Sequence, residues 1–250
     1  MYAEDGSGQQ ENLTDSSLTE FRHRYLDNSI AKQDVFHYIY AILHHPRYRE
    51  RYAANLKRSL PRVPFVPDFW AFARAGQRLM DLHINYEQQA EYKLRRVEMP
   101  GKKLDWRTTR MRITRDRQGV VYNDFLVLAD LPSEVFEYKL GNRSAIEWIV
   151  DQYQVSTDKR SGVTNDPNRP EDPQYIVRLI GRVVTVSVET VKIVNALPAL
   201  TSDDVVVVER LGPAKARPRM KPVAKASEST SAAAKARRDA PSPPKSGRRR

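Results

Sequence analysis

The chain has 250 residues, enough for one substantial domain with a buried core, and it contains no cysteine. That absence excludes disulfides, thiolate-ligated zinc and a cysteine nucleophile. No apolar run approaches the roughly 18–20 residues that span a bilayer, and the start "MYAEDGSGQQ" is unlike a signal peptide, so a soluble cytoplasmic protein is expected. The net charge of +11 is unevenly placed. Residues 212–250 hold twelve Lys or Arg against Glu228 and Asp239, whereas the first twenty residues hold five acids and no base. The body between is only mildly positive, so the high pI by itself says little about a folded basic surface.

Residues 1–11 read as a disordered acidic lead. A helix is expected from about Ser17, which has capping-box spacing to Glu20, with Leu18, Phe21 and Tyr25 on one face. Ser29 can cap a second helix whose apolar set is Val35, Ile39, Ile42 and Leu43. Pro46 ends it and suits the first turn of another, running to about Ser59. "LPRVPFVP" predicts a rigid extended connector. Pro67 and Asp68 open a long amphipathic helix carrying Phe69, Trp70, Phe72, Leu79 and Leu82.

Character changes near Met99. "RTTRMRITRDRQGVVYNDFLVLADL" alternates on both sides of Gln118 and Gly119, which predicts a β-hairpin with Met111 and Ile113 on one face and Arg110, Arg112 and Thr114 on the other. Pro132 is expected to start a short helix that Gly141 terminates, and Ser144 to cap another through Ile149. Residues 154–173 form a long polar loop of the kind that is usually functional or disordered. Beyond it, Ile176, Ile180, Val183, Val184, Ser187, Val191 and Val194 fit one helical stripe. The β-branched content argues for strand, but alternation fails from Glu189, so a buried helix is expected. From Gly212 the composition predicts a disordered basic tail. The fold class expected is α+β: a helix-rich domain at residues 12–211 with a small antiparallel, hairpin-based sheet.

The stretch "DVFHYIYAILHHPRYRERY", residues 34–52, sets three histidines among tyrosines. His37, His44 and His45 lie seven and eight apart, whereas metal sites on helices use i, i+3 or i, i+4 pairs with a carboxylate. A packed histidine beside Tyr38 and Tyr40 is the better reading, and no metal or other cofactor is expected. There is no GxxxxGK[ST] loop, no GxGxxG after a strand and no GxSxG elbow. "DPQY" at Asp172 is similar to the [DN]PP[YF] motif of amino-methyltransferases, but it lacks the second proline and a preceding Gly-rich strand; a helix start explains it. No catalytic centre is visible.

What remains is a polar surface of Arg, Lys, Ser, Thr and Asn. Arg110, Arg112 and Arg115 on the hairpin and Lys159, Arg160 and Asn165 on the loop are the candidate DNA contacts. Arg pairs bidentately with guanine edges and Asn with adenine, whereas Lys, Ser and Thr suit phosphates. On composition alone, a solvated hairpin face is the favoured reading.

Several long stretches in order, "DVFHYIYAILHHPRYRERY", "NLKRSLPRVPF", "DFWAFARAGQRLMDLHINYE", "VYNDFLVLADLP", "NRSAIEWIVDQYQVSTDKRSGVTNDPN" and "VVTVSVETVKIVNALPAL", resemble the C-terminal specificity domain of type ISP restriction–modification enzymes. The resemblance covers about residues 12–200. Enzymes of that family combine a nuclease, a helicase-like translocase, an adenine methyltransferase and a target-recognition domain that reads the DNA site for DNA methylation and cleavage. It implies a non-enzymatic recognition domain for double-stranded DNA with a methyltransferase/translocase polypeptide as partner and no membrane. Residues 34–52 would then be scaffold. The chain starts with its own Met at the recognition domain and lacks the other parts, so a separately encoded stand-alone subunit, the terminal piece of a split gene and a truncated remnant are all expected forms. The rival expectation is a protein-interaction subunit that docks through Tyr38, Tyr40, Tyr48, Trp70 and Phe72 and binds DNA only non-specifically.

Overall fold

The computed structural model describes residues 13–58 and 61–200, so the acidic lead and the basic tail lie outside the described residues. The N-terminal half is helical: α1 (Asp15–Tyr25), α2 (Lys32–His44), α3 (Pro46–Arg51), α4 (Ala53–Leu56) and α5 (Phe69–Ile84). Its core gathers Phe21, Ile30, Val35, Tyr38, Ile42, Tyr48, Phe69 and Phe72. α2 and α5 approach closely at Gly76, where a Cβ would fall 1.8 Å from the His37 carbonyl oxygen.

The connector between α4 and α5 shows why this half needs so many tyrosines. An extended segment with Pro61, Pro64 and Pro67 has no sheet partner, yet its carbonyls must find donors when covered. Tyr48 Oη donates to Arg62 O at 2.6 Å, Tyr38 Oη to Pro64 O at 2.6 Å and Tyr25 Oη to Val66 O at 2.7 Å. Accepting carbonyls at every second residue are what an extended chain presents along one side. Tyr38 Oη also accepts from Val66 N at 2.9 Å. These rings are consumed inside the domain: Tyr38, Tyr48 and Phe72 are buried, and Trp70 is half-buried with Nε1 donating to Asp27. Tyr40, the fifth ring of the expected docking face, is half-buried and bonded to His83, so these rings offer a partner little surface.

The second half is built on a four-stranded antiparallel sheet, order β1 (Arg95–Glu98), β4 (Leu126–Ala129), β3 (Gly119–Val121), β2 (Arg112–Ile113). Two small hairpins follow, β5 (Lys139–Leu140) with β6 (Arg143–Ser144), and β7 (Ser156–Thr157) with β8 (Thr164–Asn165). α6 (Ala145–Gln152) and α7 (Tyr175–Asn195) cover the sheet, whose Val120, Leu126 and Leu128 pack with Ile146, Leu179, Ile180 and Val184. α7 also reaches α5, where Val186 and Ile193 meet Leu79 and Leu82. The mixed α+β class, the hairpin-based sheet and the buried final helix are as expected.

Several boundaries differ. Thr14, not Ser17, caps α1, its hydroxyl accepting from Ser17 N at 3.2 Å. Ala31 occupies the cap of α2, and Asp34 reaches back to its N–H, while Ser29 bonds Asp27 instead. In the main hairpin Gly119 opens β3 rather than the turn, because its missing Cβ lets Leu128 O approach. Arg117 takes the positive φ of that turn, at 59°. No α-helix runs from Pro132 to Gly141: a single 3-10 turn (Ser133–Phe136) gives way to β5, and Gly141 at φ 73° makes the β5–β6 turn. Residues 154–173 are not plain loop but carry β7 and β8.

Candidate nucleic-acid interface

An open cleft of about 1080 Å³ runs between the stretch leading into β2 and the end of α6. Its floor is Met111, Ile113, Val121 and Phe125, and its walls carry Lys102, Lys103, Arg107, Arg110, Arg112 and Arg143. Two of these bases have carboxylate partners: Arg107 pairs with Asp166 at 2.5 Å and Arg143 with Asp151 at 2.9 Å. Lys102, Lys103, Arg110 and Arg112 are exposed, and among the described residues their side chains have no hydrogen bond or ion pair.

The local fold holds this wall still. Asn123 Nδ2 donates to Asp105 O and Arg107 O, and its Oδ1 accepts from Phe125 N and Leu126 N. Tyr122 Oη donates to Trp106 O, and Thr108 Oγ1 donates to Tyr122 O. Residues 105–108, which have no strand partner of their own, are thus fastened to the β3–β4 turn. On the far wall, Ser144 caps α6 in a reciprocal box with Glu147. The Ser144 N–H is the first cause holding the Glu147 carboxyl below the usual carboxylate range, with Arg117 contributing.

The β7–β8 hairpin is anchored at the cleft rim by three ties. Val155 N donates to Thr109 O, Asn168 exchanges two hydrogen bonds with the Thr108 backbone, and Arg107 pairs with Asp166. Hydrogen bonds from Asn168, then Arg107, hold the Asp166 carboxyl below its ordinary value. At the hairpin tip Asp158 accepts from Arg160 N, Ser161 N and Ser161 Oγ, and Gly162 takes φ 70°. Lys159 and Arg160 are exposed there, with Asn165 exposed in β8.

Of the sequence-derived candidates, Arg110 and Arg112 line the cleft; Arg115 sits at the hairpin turn, and Lys159, Arg160 and Asn165 lie on the anchored hairpin outside it. Lys102, Lys103 and Arg143 were not foreseen. The Lys102-Lys103 doublet was a visible signal, whereas Arg143 reaches the cleft only through the β5–β6 turn.

Among the described residues no group of three or more His, Asp or Glu side chains is placed to hold a metal ion. His37 and His45 are buried, and His44 Nδ1 donates to Tyr40 O at 2.8 Å.

Three solved structures resemble the chain. With an "ATP-dependent Type ISP restriction-modification enzyme LlaBIII bound to DNA" it shares 32% identity over 73% of its length at a TM-score of 0.65. With a nuclease-deletion mutant of the Type ISP enzyme LlaGI in complex with a DNA substrate mimic it shares 38% over 70%, at 0.62. With DrdV in a DNA complex it shares 39% over 80%, at 0.72. The chain spans 12%, 17% and 21% of those chains, respectively. No curated protein matches it. The family model of the Type ISP C-terminal specificity domain matches residues 1–179, and the chain therefore belongs to the Type ISP C-terminal specificity domain family.

Proposed function

We propose that this chain is a sequence-specific recognition module for double-stranded DNA in a Type ISP-like restriction–modification system, with no catalytic step of its own. It acts together with methyltransferase and translocase parts, and the module works in the cytoplasm. One observation carries the reading: among the described residues Arg110 and Arg112 stand unpaired in a cleft whose other arginines, Arg107 and Arg143, are tied to carboxylates. Guanidinium groups left without partners on a fixed wall are suited to base edges and phosphates. The three solved structures that resemble it are complexes with DNA or a DNA substrate mimic. Arg115, Lys159, Arg160 and Asn165 extend the DNA-contacting surface beyond the cleft. No helix among the described residues is long and apolar enough to cross a membrane.

The test is selection by the full chain from a randomised duplex pool at about 150 mM salt, where non-specific attraction is weakened. Enrichment of a defined motif supports recognition. Replacing Arg110 and Arg112 by Ala should then weaken the selected duplex about 5- to 100-fold per lost base contact. Binding to random duplex, carried by phosphates and the basic tail, should fall less. Equal losses on both would sink the assignment.

A further inference from the structure

Four acids line the cleft: Asp105, Asp124, Glu147 and Asp151. Three of them serve the fold. Asp105 accepts from Arg107 N, Glu147 completes the α6 cap and meets Arg117, and Asp151 holds Arg143. Asp124 is the exception: it is exposed at the β3–β4 turn, and among the described residues its carboxylate has no hydrogen bond or ion pair. Its neighbour Asn123 fixes that turn with four hydrogen bonds, so the backbone bearing the carboxylate is held in place.

An unpaired carboxylate in a cleft meant for a polyanion opposes binding wherever it meets phosphate or a keto oxygen. It becomes favourable only opposite a donor. In the major groove, the donors that bases offer are the exocyclic amino groups, N4 of cytosine and N6 of adenine, while guanine O6 and thymine O4 are acceptors. Asp and Glu are the side chains that accept from cytosine N4. We propose that Asp124 is a specificity-determining residue of the cleft, accepting a hydrogen bond from an exocyclic amino group and rejecting keto-edged bases at that position. The inference rests on the DNA-reading function proposed above and adds to it a residue of opposite charge, selecting by exclusion where Arg110 and Arg112 select by attraction.

The experiment repeats the duplex selection with the full wild-type chain, Asp124→Ala and Asp124→Asn. The wild type should fix one motif position as an amino base. Asp124→Ala should relax that one position by about 5- to 100-fold in preference, keep the other positions, and bind random duplex as tightly or more tightly. Asp124→Asn, whose amide can also donate, should admit guanine or thymine there. An unchanged motif in Asp124→Ala overturns the inference while leaving the recognition function standing. Relaxation spread over every position, with random-duplex binding lost as well, overturns it too, since it marks a backbone role. If the wild type selects no motif, the recognition function itself falls, and this inference with it.

Discussion

Asn168 and Thr108, sixty residues apart, exchange two backbone-directed hydrogen bonds: Thr108 N donates to Asn168 Oδ1 at 2.9 Å, and Asn168 Nδ2 donates to Thr108 O at 2.8 Å. A single side-chain amide thus mimics one rung of a sheet and ties the β7–β8 hairpin to the stretch that walls the cleft. Thr108 is fully buried, so both backbone groups depend on that amide. Asn168→Ala should cost about 1–3 kcal/mol and speed amide exchange over residues 156–165. Hydrogen exchange read peptide by peptide checks it; unchanged protection of the hairpin would show that Arg107–Asp166 and Val155–Thr109 suffice as anchors.

The α2–α5 contact is equally specific. With only 1.8 Å between a Cβ at Gly76 and His37 O, Gly76→Ala cannot be absorbed by a side-chain shift, because the obstacle is backbone. The two helices would have to separate, at about 3 kcal/mol or more. Gly101→Ala is a suitable contrast: φ there is 75°, but nothing lies within 4 Å, so only the backbone conformation resists, at about 1–2 kcal/mol. Urea midpoints of the two variants should rank in that order.

The tyrosine ladder on the proline connector gives a graded series. Tyr38→Phe leaves both Pro64 O and Val66 N without their partner in a buried place and should cost about 1–3 kcal/mol. Tyr48→Phe removes one acceptor's donor and should cost about 1 kcal/mol. Equal effects from the two would mean that solvent reaches the freed groups at Tyr38. The ladder also shows how far the sequence could be read. Prolines at 61, 64 and 67 announced an extended segment, and tyrosines at 38 and 48 announced hydroxyls in an apolar helix face. Which hydroxyl meets which carbonyl depends on the helix packing and was not legible.

The same division holds for the cleft. α7 was legible because a 3.6-residue stripe persists from Ile176 to Val194 and buries most of its length. The hairpin was legible from alternation, so Arg110 and Arg112 were found. Asp124 and Arg143 were not, since the cleft is assembled from residues 102–113, 121–125 and 142–154, which only the fold brings together. The 133–141 region misled because Pro132 and Gly141 punctuate a helix and a turn-plus-hairpin alike. Gly141 at φ 73° satisfies a hairpin turn as readily as a helix end.

A last prediction concerns His83, which joins α5 to α2 and α7. Its Nδ1 meets Tyr40 Oη and its Nε2 meets Thr190 Oγ1, each at 2.8 Å, and its ring stacks on Tyr138. Burial first, and then the charge of nearby His44, lower its pKa from 6.5 to about 4. The folded protein therefore keeps the ring neutral where the unfolded chain takes up a proton. Stability from this group is full above about pH 6.5 and is lost as pH falls towards 4, because the unfolded state binds more protons across that window. Between pH 7 and 5 the loss should be about 1 kcal/mol, since solvent reaches part of the ring and cuts the full linkage value. Urea midpoints at the two pH values, compared with His83→Gln, isolate it. The variant keeps a side chain that can bond both hydroxyls but does not titrate, so its midpoint should shift less between pH 7 and 5. His44, also lowered by burial, remains in both proteins, so its own burial cost is common to them and only its repulsion with His83 differs. An identical shift in wild type and variant would assign the acid sensitivity to His44 or the carboxylates and not to His83.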